Sequence, residues 1–175
     1  MADGPPTGGP ARTRARGRVR RRRRPTIRGM SGGDEDAPDS SSGTPVDFDR
    51  LDAIRERFGA NGRFSRIDGE PAVAPDRLVC VYDNRFYPDR VRAARLEVAW
   101  YENGDFSIHY HEEHEDGEFD HRWDRHPSDH NVRDHVHPGP DAPTPGDASH
   151  PADWRDVLSA ALSEIEARQR AFWER

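Results

Sequence analysis

The sequence predicts an α+β fold. We expect an antiparallel sheet of three or four strands, one long C-terminal amphipathic helix packed on one face, and a short N-terminal helix. Three observations predict it. Apolar and polar residues alternate through residues 92–101 and again through 105–111, as in a hairpin buried on one face. Trp154, Val157, Leu158, Ala161, Leu162, Ile165 and Phe172 recur at helical spacing. All 15 aromatic residues lie between Phe48 and Trp173, which confines the apolar core to that stretch.

In chain order, residues 1–46 read as a disordered tail. They contain no aromatic residue and almost no apolar periodicity, too little to offset ordering entropy. Within it, residues 1–29 hold ten Arg against the single acid Asp3. This Arg-rich tract reads either as a nucleic-acid arm or as an untranslated leader to a start at Met30. A single α+β domain is expected over residues 47–175. Asp47 caps a short helix that places Phe48, Leu51, Ile54 and Phe58 on one side and stops at Gly59. Residues 60–76, with Gly, Asn and two Pro, read as a loop, and Leu78 to Tyr82 as a strand.

The hairpin that follows fixes its own register. A two-residue Asn103-Gly104 turn scatters apolar side chains over both faces. A three-residue loop with Gly104 in the left-handed region pairs Trp100 with Phe106 and Val98 with Ile108, gathering the apolar set on one face. Glu97, Ser107, His109 and His111 then share the other face. Asp116-Gly117 marks a second hairpin into a strand at 118–124, and a two-residue turn there sets Trp123 beside Tyr110. Residues 138–151 hold five Pro and read as a loop. Pro151, Asp153 and Asp156 suit the start of the last helix, and Arg168 and Arg170 suit its end.

Composition narrows the function classes. The net charge of −6 combines +9 over residues 1–29 with −15 over the remainder. So acidic a body is expected of a halophilic protein, whose mutual repulsion molar salt screens. All 27 basic residues are Arg, which we read as codon usage rather than function. No apolar run is long enough for a transmembrane helix or a secretory signal, so a cytoplasmic location and no membrane partner are expected. Cys80 is the only cysteine, which excludes an internal disulfide and a Cys-cluster zinc site.

All nine His lie between 109 and 150, five of them within residues 121–137. Three readings compete. His130, His135 and His137 could bind a transition metal such as zinc, since His135-x-His137 points two imidazoles to one side of an extended segment. Asp124, Asp129 or Asp134 would then ligate or orient a ring. Alternatively the imidazoles act as acid–base catalysts on a ribose hydroxyl, with Arg122, Arg125 or Arg133 stabilising phosphate charge. In the third reading the cluster is solvated loop chemistry, held by Asp/His/Arg pairs and by turns at Pro127 and Pro138; a separate function class is an interaction module whose Arg-rich arm holds nucleic acid.

The stretch HRWDRHPSDHNVRDHVHP, followed by a Pro-rich loop and one helix ending EIEARQRAFWE, resembles the TumE family of toxins over residues 92–173. In that family an aromatic-Asp pair opens a His-rich stretch that closes on His-x-His. Trp123-Asp124 and His135-Val136-His137 occupy those positions, with Trp standing in place of Tyr. The resemblance implies a small toxin neutralised by an antitoxin protein and directed at nucleic acid or the translation machinery. Joined to the chemistry of the residues, it gives a candidate His-dependent ribonuclease with catalytic Asp124, His126, Arg133, His135 and His137, and RNA as a partner. His109 and His111 could face this site.

Overall fold

The computed structural model describes residues 43–127, 133–140 and 145–174. Helix α1 (Phe48–Gly59) precedes strands β1 (Phe64–Glu70), β2 (Arg77–Tyr82), β3 (Val91–Trp100), β4 (Phe106–His114), β5 (Glu118–Arg125), β6 (Asp134–His137) and β7 (Gly146–Asp147), and helix α2 (Trp154–Ala171) closes the chain. The strands form one antiparallel sheet in sequence order, each paired with the next. Both helices contribute to a single core on one face of this sheet, in the layered arrangement that buries an apolar face of each element.

The α+β class, both helices and the central hairpin agree with expectation, but the sheet has seven strands rather than three or four. The extra strands lie where the sequence reads as loop. β1 occupies the expected loop 60–76, and its burial is patchy because only Ile67 and Phe64 reach the core. Backbone pairing with the apolar β2, from Ile67 opposite Cys80 to Glu70 opposite Arg77, holds it instead. The two-residue β7, inside the Pro-rich loop, is likewise held by its pairing with β6.

The hairpin register is the expected one. Trp100 faces Phe106 and Val98 faces Ile108, and Gly104 has φ +81°, which an L side chain adopts only with strain. The second hairpin departs from expectation. Its two-residue loop is Glu115-Asp116, since the His114 amide donates to the Gly117 carbonyl, so Trp123 lies opposite Ile108 rather than Tyr110. The shift is two residues, so every side chain keeps its expected face.

Asp47 caps α1 by accepting from the Arg50 amide at 2.9 Å, and Leu51, Ile54 and Phe58 are buried. Phe48, expected on that apolar side, is 52 % exposed. Gly59 is not a left-handed stop. The cap is Ala60 in a right-handed conformation, and the positive φ falls at Gly62.

On α2 the inward stripe is Trp154, Val157, Leu158, Ala161 and Ile165, with Leu162 only half-buried. Leu158 has no exposed surface, so a carboxylate there has no route to water. Leu158→Asp is expected to abolish cooperative unfolding in a thermal melt followed by circular dichroism. Leu162→Asp should retain it at a lowered midpoint.

Strand alternation separates two chemistries. Tyr110, Glu112, Phe119, His121, Trp123 and Val136 lie on the helix side. Ser107, His109, His111, Asp120, Arg122, Asp124, His135 and His137 lie on the other, as their cross-strand pairing requires.

Candidate active site on the helix-free face

Two rungs of the β4–β5–β6 ladder build the site. One aligns Ser107, Asp124 and His135; the next aligns His109, Arg122 and His137. The Arg122 Nε donates to Asp124 Oδ2 at 2.7 Å. Its Nη2 lies 3.0 Å from His137 Nε2. A guanidinium can only donate, so His137 accepts through Nε2 and, as a neutral ring, carries its proton on Nδ1. Asp124 Oδ2 also lies 3.7 Å from His135 Nε2 and 3.6 Å from His137 Nε2. The His126 ring stands edge-on to His135 at 4.8 Å between centroids, and His135 stands 5.4 Å from His137.

Burial divides the roles. Asp124 and His135 are 1 % and 2 % exposed, too enclosed to touch a large substrate. His137 and Arg122 retain 22 % and 19 % side-chain exposure. His126 is partly exposed and anchored through Nδ1 to the Pro127 carbonyl at 3.0 Å, and its Nε2 has no hydrogen-bond partner among the described residues. The fold thus brings together Asp124, His126, His135 and His137, four of the residues expected from the sequence.

Arg133 goes elsewhere. Its guanidinium holds the buried Asp105 at 2.6 and 2.9 Å, in the β3–β4 turn. Arg125 is bound to Asp134 and to the His150 and Pro151 carbonyls. Among the described residues, that leaves Arg122 as the cation beside the imidazoles. His130 and Asp129 of the metal reading lie outside the described residues.

Beside this cluster, Asp120 Oδ1 bridges His109 Nε2 at 2.7 Å and His111 Nδ1 at 2.8 Å. Burial pushes the Asp120 carboxyl up, but the hydrogen bonds and charge of the two His outweigh it and hold it well below the ordinary carboxylate range. Asp120 was not singled out in the sequence. The signal was there, because it lies two residues before Arg122 and therefore on the same face of β5.

Asp134, at the start of β6, is held down to about 2 by hydrogen bonding from Arg125, with the His150 amide assisting. A carboxylate with a depressed folded-state pKa contributes stability above its unfolded value, near 3.8, and loses it as pH falls through the folded one. The wild-type chain should therefore lose more stability than Asp134→Asn between about pH 4 and pH 2, measured by urea unfolding at each pH.

Fold and site together define a small α+β protein with a His–Asp–Arg cluster on the sheet face away from its helices. A family model described as Toxin TumE matches residues 61–169, from just before β1 to near the end of α2. The match covers more than half of the chain, and the chain belongs to the TumE toxin family. It takes in the whole cluster and extends the expected resemblance upstream over β1 and β2. No curated protein and no solved structure matches the chain. Among the described residues no helix is long and apolar enough to cross a membrane.

Proposed function

We propose that the chain is the toxin of a toxin–antitoxin pair and cleaves RNA by metal-independent transphosphorylation at the Arg122–Asp124–His137 cluster. One observation carries this reading. The contact from Arg122 makes His137 Nε2 a proton acceptor, the role a general base plays, on a side chain that keeps 22 % exposure. Family membership supports the toxin role.

In the reaction the ribose 2′-hydroxyl replaces Arg122 as the partner of His137 Nε2 and gives up its proton there. The 2′ oxygen bonds to phosphorus as the bond to the 5′ oxygen breaks. Protonated His126 supplies the proton that this leaving oxygen takes. Arg122 shifts its free N–H groups onto the phosphoryl oxygens, where charge develops. Asp124 and His135 are positioning residues. Purified protein in EDTA should convert RNA into fragments with 2′,3′-cyclic phosphate and 5′-hydroxyl ends. Intact RNA, or cleavage that stops with EDTA, contradicts the reading.

A second reading has one observation in its favour. Asp124 Oδ1 is buried without a hydrogen-bond partner among the described residues, and Asp124, His135 and His137 bring their ligand atoms within 4.8 Å of one another. These donors suit zinc or nickel, in a non-catalytic metal-binding module. Arg122 stands against it, because a cation must displace a guanidinium already 2.7 Å from Asp124. Equilibrium dialysis against zinc and nickel, with and without His137→Ala, separates the two.

A further inference from the structure

The helix-side face of the same strands holds a groove that the proposed reaction does not use. It runs between α2 and strands β5 and β6 as two cavities of about 310 Å³ and 300 Å³, which share His121, Trp123 and Glu164. Val136, Val157 and Ala160 line one lobe; Phe119 and Ile165 line the other.

Two side chains that line both lobes carry buried donors. Trp123 is 5 % exposed, and its Nε1–H is buried without an acceptor among the described residues. His121 Nε2 is also buried without a hydrogen-bond partner among the described residues. Glu164 stays 3.8 Å from it, beyond hydrogen-bond reach. The Gly139 amide donates to His121 Nδ1, so the proton of the neutral ring is on Nε2. Burial holds the His121 pKa below its ordinary value and favours that neutral ring. The two rings lie 4.3 Å apart between centroids. Buried donors are nearly always satisfied in folded proteins, so this pair marks a place for an acceptor oxygen.

The charge around the groove decides which oxygen. Glu164, 58 % exposed at the rim, opposes a carboxylate. Arg168 is bound through two N–H groups to Glu112 and offers no free charge. An uncharged carbonyl fits. Two apolar lobes flanking a pair of N–H donors match a peptide, in which a backbone carbonyl lies between two side chains.

We propose that this groove binds an extended, uncharged peptide segment of a partner protein, with an apolar side chain in each lobe and a backbone carbonyl on Trp123 and His121. That the partner is the antitoxin rests on the toxin reading; the binding does not. On β5 the groove residues alternate with Arg122 and Asp124, so a bound peptide would press on the strand that carries the proposed site.

The test uses the full chain labelled with nitrogen-15, whose four Trp give four indole signals. The Trp123 signal is assigned by W123F or by its proximity to the His121 ring. N-acetyl-leucyl-leucinamide should shift that signal downfield to saturation and leave the other three in place. N-acetyl-leucinamide, filling one lobe, and N-acetyl-leucyl-leucine, carrying a carboxylate, should each bind at least about ten-fold more weakly, a factor of ten being about 1.4 kcal/mol. Ala160→Trp, which fills one lobe from an exposed helix position, should abolish the shift. No shift at the solubility limit, equal shifts in all four indoles, or equal affinity for the single-residue amide would overturn the proposal. None of these readouts depends on toxicity or RNA cleavage, so either proposal can fail without the other.

Discussion

Replacing His137 with alanine is expected to lower RNA cleavage by about 10²–10⁴-fold, the range a positioned general base supplies, and to abolish growth inhibition. The prediction rests on a contrast within one His-x-His pair. His135 is 2 % exposed and enclosed beside the buried Asp124, whereas His137 reaches the surface with its Nε2 held by Arg122. His137→Ala should therefore unfold cooperatively at nearly the wild-type midpoint. His135→Ala removes a buried ring next to a buried carboxylate, so it should lose stability together with activity. Replacing both at once would confuse the two effects. Cleavage rates set against thermal midpoints for the two single variants decide it. If His137→Ala retains wild-type cleavage, His137 is not the base.

The second large effect is expected far from that site. Glu112 has no exposed surface and lies on the apolar side of β4. It accepts from Arg168 at 2.9 and 2.7 Å, from His114 at 2.7 Å and from the Tyr110 hydroxyl at 2.5 Å. Tyr110 in turn bonds Tyr87, which accepts from Gln169. Arg168 also stacks over Phe119 at 3.3 Å. This network pins the C-terminal half of α2 to the sheet.

Arg168→Ala leaves a buried carboxylate without its cation and is expected to cost about 3–5 kcal/mol. That is a large part of the roughly 5–15 kcal/mol total of an ordinary domain. The pair itself need not be strongly stabilising, because desolvation offsets much of the attraction. A double-mutant cycle with Glu112→Gln separates these effects. Once the glutamate charge is gone, Arg168→Ala should cost markedly less, giving a coupling above 1 kcal/mol at about the upper range for contacting residues. Additive losses in urea unfolding would show that the charge pairing is not what fixes the helix.

The parts legible in the sequence are those where local pattern and burial agree. The α2 stripe and the Trp100–Phe106 register were readable because only one arrangement puts their apolar residues together. The side of the sheet on which His109 and His111 lie followed from the same alternation, whereas that of His135 and His137 was set by the pairing of β6 with β5. β1 and β7 were not readable, since neighbouring strands hold them by backbone pairing that side-chain pattern does not record. Glu112 could have been flagged as a charge at an inward position of β4. Its partner Arg168 comes from 56 residues away, and no local signal links them.

The sequence by itself determined the fold class, the acidic body and the gathering of imidazoles near a His-x-His. Short-range periodicity and composition suffice for each of these. Only the tertiary structure decided which guanidinium joins the imidazoles. Arg122, Arg125 and Arg133 are chemically identical in the chain, but strand alternation and cross-sheet neighbours send Arg125 to Asp134, Arg133 to Asp105 and Arg122 to Asp124 and His137. The proton position on His137, and with it the chemistry proposed here, follows from that last contact.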